Sequence, residues 1–238
     1  MTPRVLVVDT DPESRSSLVN KLSENHIDAV EAASGRVAFE LACEDAPDIV
    51  VTELFLEDIT GLNLCRRLRE DSRTSATAMV VVSHYADEMD RIIAFEAGID
   101  DFVSKPFSAN EVIARIKSIL RCPRQAAPEP LGTEATRSET LDPAATQILV
   151  CGSAVDATPR ERQILAELIR QEGRVVPREE LIERLWPPDA RVTPRTVDAH
   201  IKSLRRKLGS ARSCIRTIHG IGYLYEPTDA RIETSRDV

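Results

Sequence analysis

Four groups of polar residues stand directly after short apolar runs: Asp9-Thr10-Asp11 after Val5 to Val8, Glu53 after 48–52, Ser83-His84 after Met79 to Val82, and Lys105-Pro106 after Phe102 to Ser104. If the runs are parallel strands, their carboxyl ends bring carboxylates, hydroxyls, an imidazole and an ammonium group to one edge of a sheet, where ligands of such folds gather. The Lys105 ammonium can then pair with the Glu53 carboxylate, and Ser83 can donate a hydrogen bond to the same group. A second set lies far along the chain. Arg195, Ala199, Lys202 and Arg206 recur at helical intervals, flanked by Thr196, His200 and Ser203. A basic stripe with one small residue suits phosphate and base contacts in a major groove.

Other chemistries are missing. The five cysteines (Cys43, Cys65, Cys122, Cys151, Cys214) never fall at C-x-x-C spacing, so they read as reduced thiols rather than metal or redox ligands. Neither a Gly-rich phosphate loop nor a catalytic triad is present, and no enzyme activity, cofactor or metal is expected. His26 reads as a surface residue and His84 as a packed one. No leader opens the chain and no apolar stretch approaches the roughly 20 residues of a bilayer span; a cytoplasmic protein is expected.

The elements that must position these residues fall into two sets. The first half alternates the apolar runs, including Ile27 to Ala29, with helix-length amphipathic segments. That alternation predicts a doubly wound, five-stranded parallel α/β sheet over residues 1–121. A proline-marked linker follows at 122–130, then short, polar, turn-rich strands to Ala157. Thr158-Pro159-Arg160-Glu161 has the form of a capping box and starts a helix with Ile164, Leu165, Leu168 and Ile169 on its buried face and Gly173 as its stop. A short helix over 178–185 is followed by Thr193-Pro194, which repeats the cap-plus-proline start. In the helix from Pro194 to Leu208, Val197, Ile201, Leu204 and Leu208 line the core side. Residues 215–225 alternate around His219-Gly220-Ile221-Gly222 as a hairpin would. Helix, helix, basic helix and hairpin make an α+β winged helix over 131–228, leaving 229–238 as a tail.

Charge supports this division. The net −8 hides 13 basic against 22 acidic residues over 1–122, and 16 against 14 over 141–238. Between 191 and 216, eight Lys and Arg stand against Asp198 alone. That local excess is the electrostatic footprint of a nucleic-acid binder.

The order VLVVD, DIVVTE, VVVS, GIDDFVSKPF, then TPRE, TPRTVDAHIKSLRRKLG and IRTIHGIGY resembles an OmpR/PhoB-type response regulator over nearly the whole chain. The resemblance implies a receiver that binds magnesium through acids after its first strand and accepts a phosphoryl group on an aspartate after its third. The matching positions here are Asp9, Thr10 and Glu53. Threonine removes a charge that a hard cation needs, and glutamate displaces the attacking oxygen by about a bond length, when about 1 Å costs on the order of a hundredfold. His84 stands where the family has a small residue, Phe102 matches its switch aromatic, and Lys105-Pro106 matches its lysine and cis peptide.

The expectation is therefore a phosphorylation-independent DNA-binding transcriptional regulator, its receiver acting as a dimerisation or partner-binding module. Glu53 is either a structural partner of Lys105 or a partial imitation of the phosphorylated state. The alternatives are a conventional regulator phosphorylated weakly at Glu53 or a nearby carboxylate such as Asp11, and a protein-binding adaptor. DNA contacts are expected from Arg195, Thr196, Ala199, His200, Lys202, Ser203 and Arg206, with His219 and Tyr223 on the wing. The partners are promoter DNA with tandem half-sites, RNA polymerase, and a second copy. The resemblance places a two-fold receiver face on the fourth helix, fifth strand and fifth helix, with Arg91, Asp100, Asp101, Glu111, Arg115 and Lys117 pairing between copies, and Ile92 and Ala114 burying apolar surface.

Overall fold

A computed structural model describes residues 2–84, 88–120, 147–150, 153–188, 190 and 192–227. The expected linker and tail lie outside the described residues. Strands β1 (Arg4–Val8), β2 (Asp28–Ala32), β3 (Ile49–Glu53), β4 (Ala78–Ser83) and β5 (Asp101–Ser104) form one parallel sheet in the order β2-β1-β3-β4-β5. Helices α1 (Pro12–Glu24), α2 (Gly35–Asp45), α3 (Gly61–Glu70), α4 (Glu88–Glu96) and α5 (Ala109–Leu120) cover both faces.

The unbroken apolar strands follow from this sandwiching, because alternate residues serve opposite faces. Val5, Val7, Ile49, Val51 and Val80 pack with Leu18 and Leu22 of α1 and Ile113 and Ile116 of α5. Leu6, Val8, Val50, Met79 and Val81 pack with Ala38, Leu64, Leu68 and Phe95 on the other side. Each buried Val, Leu or Ile contributes about 1.5–3 kcal/mol, so both faces are strongly specified. Gly61 permits the tight β3–α3 passage, since a Cβ there would run into the Glu53 carbonyl oxygen.

The second set comprises β6 (Gln147–Val150), β7 (Ser153–Asp156), α6 (Pro159–Arg170), β8 (Val175–Pro177), α7 (Arg178–Leu185), α8 (Pro194–Leu208), a 3-10 turn (Gly209–Cys214), β9 (Ile215–Ile218) and β10 (Gly222–Tyr225). A three-stranded sheet in the order β8-β10-β9 backs the helices as in a winged helix, with Gly220 at φ 75° turning the wing. The capping box of α6 forms in both directions, Glu161 N–H to Thr158 Oγ1 and Thr158 N–H to Glu161 Oε2. Two local expectations differ. Thr193 precedes α8 without a side-chain cap bond, and α6 ends at Arg170 with Gln171 as its cap, Gly173 turning the chain two residues later. The two domains are packed together, α4 lying against α8.

Candidate functional site

The ends of β1, β3 and β5 bring Asp9, Glu53 and Lys105 together. Lys105 Nζ lies 3.0 Å from Asp9 Oδ2 and forms an ion pair with Glu53 Oε2, so one ammonium bridges both carboxylates. Asp9 also accepts from Ser14 Oγ and, through its other oxygen, from the Asp11 N–H, both at 3.0 Å. Glu53 Oε1 accepts from the Leu54 N–H at 2.7 Å. Asp11 caps α1, its two oxygens accepting from the Glu13 and Ser14 N–H groups. Burial would lower the Lys105 pKa, but hydrogen bonds and charge from Glu53 and Asp9 outweigh it and raise it. Thr10 is half-buried and Ser83 fully buried. The Lys105-Pro106 peptide is cis. His84 is exposed rather than packed, because it stands just past the end of β4, outside the sheet. Phe102 is buried within the cluster that holds Phe95 and Ile99.

On α8, the core side is as the periodicity requires: Val197, Ile201, Leu204 and Leu208 are buried in the winged-helix core. Arg195, Lys202 and Arg206 are exposed, as is His219 on the wing. Thr196, Ala199 and His200, expected on an open DNA-facing side, are instead buried. Ala199 joins the receiver's own hydrophobic cluster, and the His200 ring stands edge-on to Phe95 of α4 at 5.6 Å. Lys202 reaches Glu96 of α4 at 3.1 Å, while Ser203 is half-buried. Tyr223, expected as a wing contact, is also buried. Its hydroxyl donates to Asp198, which accepts from Arg178 Nε at 2.7 Å. Burial first, then that hydrogen bond, push the Tyr223 pKa to about 12; the residue braces α8 against the wing.

The charges expected to pair between two copies are engaged inside one molecule. Asp100 is fully buried and accepts four bonds: from Arg69 Nη2 at 2.9 Å, the Met79 N–H at 3.0 Å, Thr158 Oγ1 at 2.6 Å and the Arg160 N–H at 3.3 Å. Asp101 lies 3.5 Å from Arg115 Nη1 and 3.8 Å from Arg160 Nη2. Glu111 pairs with Arg115 along α5 at 2.9 Å. Lys117 turns away to Asn25, the C-cap of α1, at 3.1 Å. Arg91 is partly buried.

Several residues of this interface escape sequence reading. Arg160 is fully buried, stacks its guanidinium 4.4 Å above the Trp186 ring, and donates to Gln163 Oε1 and the Leu185 carbonyl. Gln163 donates to the Ser118 and Ile119 carbonyls at the end of α5, both at 2.9 Å. Ser118 Oγ donates to the Leu185 carbonyl at 3.2 Å. The only signal is a polar stripe, Arg160, Gln163 and Glu167, on a helix whose apolar face lies elsewhere.

Comparison with known proteins agrees with this architecture. A family model described as response regulator receiver domain matches residues 5–117, and one described as transcriptional regulatory protein, C terminal, matches residues 152–225. The transcriptional regulatory protein BaeR of Escherichia coli is 35% identical over 235 residues, covering 97% of this chain and 96% of that one. The transcriptional regulatory protein SrrA of Staphylococcus aureus is 31% identical, covering 95% and 96%. Among solved structures, the response regulator DrrB, a Thermotoga maritima OmpR/PhoB homologue, aligns over 94% of this chain and 99% of its own at 26% identity and a TM-score of 0.50. A RitR mutant shares the fold at a TM-score of 0.68 and 20% identity over 95% of this chain and all of its own. The chain belongs to the OmpR/PhoB-type response regulator transcription factors.

Proposed function

We propose that this regulator acts on DNA without a phosphoryl signal. The observation that carries the reading is the Lys105 ammonium seated between Asp9 and Glu53. Magnesium is implied by the family, and the residues do not fit it. Asp9 holds Lys105, Ser14 and the Asp11 N–H, Asp11 is spent as a helix cap, and Thr10 brings no charge to a hard cation. Phosphoryl transfer needs in-line placement and neutralisation of developing charge, and Glu53 is tied to Lys105 and the Leu54 N–H instead.

In this reading α8 enters the major groove with Arg195, Lys202 and Arg206, and the wing carries His219 towards the neighbouring minor groove. The receiver works through its α4–β5–α5 face. That face covers Ala199 and His200 of the chain's own α8, so α4, a second copy and DNA compete for overlapping surfaces. The test is intact mass after treatment with acetyl phosphate and magnesium. The mass should remain unchanged, and an added phosphate on most molecules that Glu53→Ala abolishes would overturn the reading.

A further inference from the structure

His200 is the one imidazole buried between the two domains. Its ring lies 5.6 Å from Phe95 of α4 and 5.8 Å from Trp186 after α7, and its Nε2 is buried with no hydrogen-bond partner among the described residues. The charged groups around it come from four helices and from the residue just before a strand. Asp100 stands just before β5, Arg69 on α3, Glu96 on α4, Arg160 and Glu161 on α6, and Lys202 and Lys207 on α8 itself.

Every acid in this set is already engaged. Asp100 holds Arg69, Thr158 and two backbone N–H groups. Glu161 holds Lys207 at 2.7 Å and the Thr158 N–H. Glu96 holds Lys202. A proton added to His200 would create a further cation beside Arg160 and Arg69, between two aromatic rings, while the nearby carboxylates of Asp100 and Glu161 are already engaged by other donors. Parting the domains would place the same imidazolium in solvent. A buried charge without a partner is among the costliest features a packed interface can hold.

We propose that His200 makes the closed arrangement acid-labile: proton uptake by its imidazole separates α4 from α8 and uncovers the side of α8 that the receiver occupies. That the uncovered side then meets DNA rests on the functional reading above; the separation itself does not.

Burial pushes the His200 pKa from the ordinary 6.5 down to about 4, with Asp100 and Glu161 pulling it up and Arg160 and Arg69 pushing it further down. The closed form therefore favours the neutral ring. Its advantage is complete above pH 6.5 and is lost progressively as the pH falls from 6.5 towards 4. With those two values, the closed-to-open ratio should fall about tenfold between pH 7.5 and 5.5. Asp101 works in the opposite sense. Burial raises its pKa despite Arg115 and Arg160, so its own proton uptake favours closure at lower pH.

The experiment uses the full chain without DNA, which separates it from any failure of the DNA-binding reading. Small-angle scattering and the emission of Trp186, the single tryptophan, are recorded from pH 7.5 to 4.5. The wild type should expand and its emission shift to the red on acidification. His200→Phe, which preserves ring packing but cannot titrate, should stay compact throughout, and His200→Gln should be equally insensitive to pH. A wild-type scattering profile that does not change with pH, or the same acid expansion in either variant, would overturn the proposal.

Discussion

The two acid-base clusters of this molecule use the same residue types and differ in how well their atoms are satisfied. At the ends of β1, β3 and β5, one lysine serves two carboxylates, and backbone N–H groups and a serine complete the set. At the domain interface, Arg69, Arg115 and Arg160 meet Asp100 and Asp101 under deeper burial. Asp100 is saturated there. Yet Asp101 Oδ2 and the Nε and Nη2 atoms of Arg160 have no hydrogen-bond partner among the described residues. Buried ion pairs repay desolvation only when the remaining lone pairs and protons are also met. The pocket is thus a finished structural unit, whereas the interface, although hydrogen bonds from Gln163 and Ser118 also cross it, leaves buried polar atoms of Asp101 and Arg160 unmet among the described residues.

The sharpest way to break this contrast is Arg160→Ala. The side chain is fully buried, and its loss removes the Trp186 stacking and leaves Asp101 with Arg115 alone. Removing one partner of a buried pair costs about 3 kcal/mol, so the closed population should fall on the order of a hundredfold. The expected result is an expanded scattering profile at neutral pH with both domains still folded by circular dichroism. A compact profile would mean that apolar contacts alone hold the domains.

Lys105→Met should have a smaller, local effect. Side-chain exposure of 13% for Lys105 leaves some solvent screening, and the loss should be about 1 kcal/mol of stability with no domain opening. Thermal unfolding should register this loss while the scattering profile stays as in the wild type.

The smallest effect on closure is expected from Lys202→Ala. The Lys202–Glu96 pair is exposed on both sides, 76% and 53%, and such pairs contribute within about 0.5 kcal/mol. Scattering should not change, while the log-log salt slope of DNA binding should become shallower by roughly one unit if Lys202 touches a phosphate. An unchanged slope would assign Lys202 to the solvated surface.

How much of this is visible in the sequence depends on whether a residue's partner is near or far along the chain. Strand and helix faces are visible because burial on a sheet or helix imposes a period: Val197, Ile201, Leu204 and Leu208 have it and occupy the core. The Glu53–Lys105 pair is visible because both stand at strand ends that the topology must bring together. Arg160 is not. A charged residue in the first turn of a helix reads as solvated, and only the position of β5 in the other domain puts Asp100 and Asp101 beside it. For the same reason Thr196, Ala199 and His200 read as an open face. Their period distinguishes the inner side from the outer side of the winged helix, and nothing in it registers that a second domain covers the outer one.

Ala199 carries a further consequence for how such a chain could change over generations. It sits on the side of α8 that faces DNA in the function proposed above, yet it packs into the receiver's hydrophobic cluster. Any larger residue there must push against α4, since packed interiors yield little to added volume. On the proposed reading one position therefore answers to two selections at once, and sequence preference at 199 would not drift without also shifting the balance between covered and uncovered states. The chain is correspondingly less modular than its two-domain layout implies. A winged helix grafted from a relative with a bulkier residue at this position would arrive with its regulation already altered.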